Sequence, residues 1–183
     1  MNKTLIISGS GGQGILSIGL ILANIFMLDD LNITFCASYG AEIRGGAVNC
    51  EINISDKEIN TLQNEKVDFI IALNQTSFKK FTPKVKENGT IIANSSLVKL
   101  EKSRKDIKYI FIPFSEKAAS LGNIKMANSI ALGVLANLLE GFNKNNIKEG
   151  YQKVLHNKTE LIEKNIEAFM YGYNYVYGEN LWQ

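Results

Sequence analysis

The chain has 183 residues, 45% of them hydrophobic, with 20 basic and 18 acidic side chains and a formal net charge of +2. That length is one ordinary domain with enough chain to bury a core, the composition excludes disorder, and the balanced charge makes no electrostatic claim on nucleic acid or membrane. Two cysteines, Cys36 and Cys50, and the single His156 are too few for an iron–sulfur cluster or a four-ligand zinc site.

Thr4-Leu5-Ile6-Ile7 is a short apolar run rich in β-branched residues. It leads into Gly9-Ser10-Gly11-Gly12-Gln13-Gly14, and then into an apolar stretch expected to be helical over residues 13–28. Strand, glycine turn and helix in that order present the free N–H groups and positive dipole end of the helix to the turn. An anion such as a phosphate is stabilised there. Gly9, Gly11 and Gly14 also fit the G-x-G-x-x-G spacing of dinucleotide-binding turns. That fingerprint needs an acidic residue at the end of the second strand to hold a ribose. The second strand is expected at residues 33–38 and ends in Ser38-Tyr39-Gly40; Asp29 and Asp30 precede it, and Glu42 lies in the next loop. The phosphate half of the fingerprint is present and the ribose half is absent. The plainer reading is a turn whose glycines serve only tight packing of strand against helix.

After Tyr39-Gly40-Ala41-Glu42-Ile43-Arg44-Gly45-Gly46 comes a run over residues 47–54 in which Val48, Cys50, Ile52 and Ile54 alternate with Asn49, Glu51 and Asn53. Period two marks a strand with one wet face. The connection is too short for a crossover helix, so the second and third strands are expected to be antiparallel neighbours. Both cysteines fall in these strands and read as core thiols of a reducing compartment, a disulfide being the alternative.

Further strands are expected at residues 67–73, 90–94 and 109–113, with a turn at Asn88-Gly89 and a lysine-rich surface connection over residues 99–108. Asn74 is placed to cap a short helix ending near Phe81, and Ser115 to cap one stopped by Gly122. A nearly all-apolar helix follows over residues 129–139, closed by Gly141; Gly133 within it marks a close approach of another backbone. Amphipathic helices at residues 147–155 and 159–175 complete the chain, and Tyr171 to Trp182 is rich in aromatics. The whole reads as a three-layer α/β/α Rossmann-like domain with a mixed, mostly parallel sheet, one domain over residues 1–183. Ligands of such sheets sit beyond the carboxyl ends of the strands, the edge that carries the glycine turn, the 39–46 loop and Asn74. No secretory leader and no membrane-spanning run is evident, so the chain is expected in the cytoplasm.

No nucleophile–histidine–acid set, no metal motif, no Walker-type phosphate loop and no general acid–base pair emerges, so no catalytic residue is assigned. Arg44, followed by Gly45-Gly46, is suited to hold a carboxylate or phosphate; a surface salt bridge to Glu42 or Glu51 is the alternative.

The glycine turn, Ser38 to Gly46, Gly122-Asn123 to Asn128 with Ala131-Leu132-Gly133, and Asn165-Ile166-Glu167-Ala168-Phe169 with Gly172 occur in an order that resembles the gamma subunit of 2-oxoacid:ferredoxin (or acceptor) oxidoreductases. The resemblance covers nearly the whole chain. It implies a heteromeric enzyme that decarboxylates a 2-oxoacid, such as pyruvate or 2-oxoglutarate, on thiamine diphosphate. Electrons then pass through iron–sulfur clusters to ferredoxin or flavodoxin, and the acyl group passes to coenzyme A. Thiamine-binding alpha and beta subunits and a ferredoxin-like delta subunit would carry thiamine diphosphate and the clusters. Gly9, Gly11, Gly12, Gln13, Gly14, Tyr39, Arg44, Gly45 and Gly46 are then candidates to lie near coenzyme A phosphates or at the subunit interface. Rival readings are a stand-alone NAD-binding oxidoreductase and a purely structural assembly subunit.

Overall fold

A computed structural model describes residues 1–40, 47–99, 101, 103–156 and 159–178, with the backbone alone at 176–178. The order is β1 (Asn2–Ser10), α1 (Ile15–Met27), β2 (Asn32–Tyr39), β3 (Ala47–Ser55), β4 (Val67–Ala72), α2 (Gln75–Phe81), β5 (Val85–Asn94), β6 (Lys108–Ile112), α3 (Phe114–Ser120), α4 (Ala127–Leu138), α5 (Ile147–Leu155) and α6 (Thr159–Gly178).

The strands form one six-stranded sheet in the order β2-β3-β1-β4-β5-β6. β3 is antiparallel to both β1 and β2, while β1, β4, β5 and β6 pair in parallel. The expected mixed, mostly parallel sheet is therefore present, with β2 and β3 as antiparallel neighbours. Alternation sorts each strand between two cores: Leu5, Ile7, Ile71 and Ile92 face one, and Ile6, Ile70, Ile91 and Ala93 the other. Apolar on both faces, the parallel strands must be covered on both sides.

The first core is sealed by α1, α4, α5 and α6, which contribute Ile18, Leu22, Leu135, Tyr151 and Phe169. The close approach expected at Gly133 is found, and it is reciprocal. A Cβ on Gly133 would overlap the Phe169 carbonyl oxygen, and one on Gly172 would overlap that of Ile130. Two glycines thus let α4 and α6 pack backbone to backbone. The second core is covered by α2 through Phe78 and Phe81.

Three local expectations are corrected. Asn88-Gly89 is no turn between elements but an irregularity inside β5, where the register against β4 shifts between Val67↔Val85 and Phe69↔Thr90. Asn88 takes φ 61°, and a Cβ on Gly89 would lie 2.8 Å from Asp68 O. The residues suited to a turn here bend a strand instead. Ser115 does not cap α3; Pro113 takes the N-cap position, and the Ser115 hydroxyl accepts a hydrogen bond from Asn94 Nδ2 at 2.8 Å. The lysine-rich connection before β6 does run at the surface as expected, with Ser103, Lys105 and Asp106 exposed, and it is pinned by buried Ile107 and by Arg104 Nη1 donating to Val85 O at 2.6 Å. α1 begins at Ile15, two residues later than expected, because Gly14 takes a left-handed conformation at φ 70°. Asn74 caps α2 as expected, its Oδ1 accepting from Ser77 N at 2.8 Å.

Cys36 and Cys50 are free thiols. Cys36 stands opposite Glu51, and Cys50 opposite Ala37, so the two thiols point to opposite faces of the sheet. Burial pushes the Cys50 thiol up to about 12, so it stays protonated. Among the described residues no helix is long and apolar enough to cross a membrane.

Candidate functional site at the glycine turn

β1 connects toward β2 and β3 on one side of the sheet, while β4 opens the other side, so the β1–β4 boundary is where the direction of winding changes. The glycine turn sits there. Gln13 organises it: its N–H donates to Ser10 O at 3.1 Å, its Oε1 accepts from Ser10 N at 2.7 Å, and its Nε2 donates to Leu73 O at 3.4 Å. Asn74 Nδ2 donates to Ser10 Oγ at 2.7 Å. The carboxyl ends of β1 and β4 are thereby tied across the switch point.

The glycines of the fingerprint do different things. A Cβ on Gly9 would overlap Gln13 Oε1 and lie 2.8 Å from Ile15 Cδ1, so the chain's own side chains fill that space. Gly14 needs its left-handed φ and abuts the Asn128 amide, whose Nδ2 donates to Gly14 O at 3.4 Å. Gly12, at φ 90°, has nothing within 4 Å of a would-be Cβ, and both Gly11 and Gly12 are exposed. Packing thus explains Gly9 and Gly14, while the middle of the turn stays open. The start of α1 has no side-chain cap and no acidic residue in its first turn, so its positive end is not offset locally.

No ribose-binding acid ends β2. Its last residue, Tyr39, is 70% exposed, and Asp29 Oδ1 instead accepts from Asn143 and Asn146 at 3.0 and 2.9 Å. Arg44, Gly45 and Gly46 lie outside the described residues. Among the described residues no group of three or more His, Cys, Asp or Glu side chains could hold a metal ion.

Beside the turn lies a cavity of about 210 Å³. Gly12, Gln13, Asn94, Ser115 and Asn128 form its polar wall, Leu73 and Ala127 part of its apolar wall, and Leu97, Ile124 and Lys125 complete the lining. The sheet explains the gathering: Leu73 follows β4, Asn94 ends β5 and Ser115 follows β6, so the parallel strands deliver all three to one edge. Chain-order reasoning singled out Gly12 and Gln13 here but not Asn94, Lys125 or Ser115 as lining residues. An asparagine closing each of two strand regions, Asn74 and Asn94, was the available signal.

Residues 4–175 match the family profile described as pyruvate ferredoxin/flavodoxin oxidoreductase. The chain belongs to that family. Similar relatives include the 2-oxoglutarate synthase subunits KorC of Archaeoglobus fulgidus and Methanocaldococcus jannaschii. The first is 33% identical over 168 residues, covering 91% of this chain and 84% of its own; the second is 34% identical over 178 residues, covering 94% and 93%. Among solved structures, the gamma subunit of a keto/oxoacid ferredoxin oxidoreductase from Geobacter sulfurreducens superposes with a TM-score of 0.81 at 27% identity, covering 97% of this chain and 99% of that one. A 2-oxoglutarate:ferredoxin oxidoreductase chain from Magnetococcus marinus gives a TM-score of 0.88 at 22% identity, a likeness of fold; this chain spans 98% of itself but 32% of that longer polypeptide.

Membership of the pyruvate ferredoxin/flavodoxin oxidoreductase family, as a gamma-type subunit of a 2-oxoacid oxidoreductase, replaces the stand-alone NAD reading. The geometry agrees: Gln13 already occupies the Ser10 N–H, and no acid stands at the end of β2.

Proposed function

We propose that the whole chain acts as a single gamma-type domain of a cytoplasmic 2-oxoglutarate:ferredoxin oxidoreductase. It docks onto the thiamine-binding subunits and helps to hold coenzyme A, while the covalent chemistry takes place elsewhere. The observation that carries the substrate class is the coverage of the two 2-oxoglutarate synthase relatives, each above 30% identity and matched over most of its own length. Thiamine diphosphate and iron–sulfur clusters belong, on this reading, to alpha, beta and ferredoxin-like delta companions, with ferredoxin or flavodoxin as acceptor.

The coenzyme A role draws on the glycine turn. Exposed Gly11 and Gly12 admit close approach, and the uncapped N-terminus of α1 favours an anion. Arg44, in the loop after Tyr39, would add a charge-assisted contact to a phosphate. The Magnetococcus marinus enzyme has 2-oxoglutarate, coenzyme A and succinyl-CoA bound, which supports the ligand class.

The test is reconstitution. Co-expressed with thiamine-binding and ferredoxin-like companions, the chain should complete a complex that reduces viologen only when 2-oxoglutarate and coenzyme A are both supplied. A preference for pyruvate would overturn the substrate, and turnover by the isolated chain would overturn the division of labour. Arg44→Ala should raise the KM for coenzyme A about tenfold, the value of one charge-assisted hydrogen bond. An unchanged KM with intact assembly would favour the purely structural subunit.

A further inference from the structure

The face of the sheet opposite α1 carries a second hollow, of about 270 Å³. Ser38, Asn49 and Glu51 line it from β2 and β3, Lys80 from α2, and Lys84 from the single helical turn Thr82–Lys84 that follows α2. Ser38 stands opposite Asn49, and Glu51 lies two residues along the same strand, so all three side chains share one face. The hollow has no residue in common with the cavity beside the glycine turn.

A carboxylate belongs to its lining. Glu51 is 6% exposed; its Oε1 accepts from the N–H and Nδ2 of Asn64 at 2.5 and 2.8 Å, while Oε2 takes no hydrogen bond among the described residues. The side-chain atoms that are both sealed from solvent and unpaired, among those described, are Asp29 Oδ2, Gln75 Nε2 and the Tyr151 hydroxyl oxygen. Glu51 Oε2 is not one of them, so solvent still reaches it, and the hollow is the opening that Glu51 lines. A buried carboxylate with one oxygen unmatched is costly, and a charged donor offsets that cost best.

The other wall carries the opposite sign. Lys80 Nζ lies 5.1 Å from the centre of the Phe81 ring, and Lys84 makes no ion pair or hydrogen bond among the described residues. The Asn49 amide and the Ser38 hydroxyl are likewise uncommitted among the described residues. Two lysines against one glutamate leave a single positive charge over. The matching guest therefore has one net negative charge, with an ammonium for Glu51 and carboxylates for the lysines. The hollow is just under the roughly 300–1,000 Å³ of pockets that enclose drug-sized molecules, so the guest is small.

We propose that this hollow binds an acidic amino acid, such as glutamate or aspartate. Its ammonium donates to Glu51 Oε2, its carboxylates meet Lys80 and Lys84, and Asn49 and Ser38 supply neutral hydrogen bonds. Glutamate differs from 2-oxoglutarate only in carrying an amine where the oxoacid carries a keto oxygen, and Glu51 attracts the first and repels the second. The site is independent of the coenzyme A role proposed for the glycine turn and stands whether or not that role does.

The experiment titrates the full chain with L-glutamate, L-aspartate, 2-oxoglutarate and glutarate by calorimetry, while NMR follows the side-chain amides of Asn49 and Asn64 and the backbone amide of Gly12. The two amino acids should bind with a Kd below about 1 mM, and the two acids that lack the ammonium at least about tenfold more weakly. The Asn49 and Asn64 signals should move and that of Gly12 should stay. Glu51→Gln keeps an acceptor for Asn64 and should weaken glutamate about tenfold or more. Lys80→Gln combined with Lys84→Gln should weaken it several fold and remove most of its salt dependence. Both lysines are exposed, so that double variant keeps its thermal midpoint and carries the test even if Glu51→Gln fails to fold. Glutarate bound as tightly as glutamate would reduce the hollow to an unselective lysine patch and overturn the proposal. So would the absence of saturable binding, or a response confined to Gly12.

Discussion

The two faces of the sheet are built on different principles. On one, four helices bury aliphatic and aromatic side chains, with α4 and α6 drawn together through Gly133 and Gly172. On the other, the parallel strands carry Ile6, Ile70 and Ile91 beneath short α2, but the β2–β3 wing presents Thr34, Glu51 and Asn53. There the cover is the segment between β3 and β4. Asn64 donates its N–H and its Nδ2 to Glu51 Oε1 at 2.5 and 2.8 Å, and Asn53 Nδ2 donates to Thr34 Oγ1 at 2.7 Å and to Thr61 O at 3.1 Å. The helical face is held by shape, the wing by paired polar groups. Packing fails steeply when atoms are removed or added, and buried polar pairs fail when one partner is left alone.

That contrast can be broken in order of expected size. Phe169→Ala removes a fully buried ring stacked on Phe142 and Tyr173 and should cost about 3–5 kcal/mol in chemical denaturation. Gly133→Ala adds a single carbon where the Phe169 carbonyl already stands. It should cost about 3 kcal/mol, although alanine is the better helix former, because overpacking outweighs propensity. A stabilised Gly133→Ala variant would show that α4 and α6 do not approach so closely. On the wing, Glu51→Ala should cost about 1–3 kcal/mol by stranding the Asn64 N–H, while the Asn64 side-chain amide keeps Asn53 Oδ1 as an acceptor, and hydrogen exchange should report faster loss of the Asn64 amide proton.

The smallest effect is a change of pH dependence. Burial alone would raise the Asp68 carboxyl, but the Lys86 ammonium at 2.9 Å, with the N–H and hydroxyl of Thr4 at 2.8 Å, outweighs it and holds Asp68 below the usual carboxylate range. A carboxylate lowered in the folded state contributes stability above its unfolded pKa, and that contribution is lost as pH falls through the folded value. Asp68→Asn should therefore flatten the acid limb of a stability–pH curve and leave the slope near neutrality unchanged. An acid limb as steep as that of wild type would assign the acid sensitivity to other carboxylates.

Much of this was legible in the residues themselves. The alternation over residues 47–54 told which residues of β3 share a face, because side chains in a strand follow a period of two, but the face expected to be wet is buried, Glu51 and Asn53 being covered by the segment between β3 and β4. Glycine inside an apolar helix marked the α4–α6 contact, and Asn74 capped the helix it preceded. The order of the glycine turn, the 38–46 stretch and the Gly122–Asn128 block pointed to the family that the profile over residues 4–175 establishes. These signals are local, or are strings read in order.

Tertiary structure alone decided the rest. Asn88-Gly89 has the chemistry of a turn, yet pairing with β4 and the carbonyl of Asp68 make it a bend in a strand. Ser115 has the chemistry of a cap, yet Asn94, brought beside it by the parallel register of β5 and β6, claims its hydroxyl. The glycine fingerprint suggested a cradle, and only the fold showed Gln13 turning back to close part of it and tie β1 to β4. Propensity and periodicity act over a few residues, whereas the partner that finally satisfies a donor, or fills the space a glycine leaves, is chosen by strands and helices that meet only once the sheet has formed.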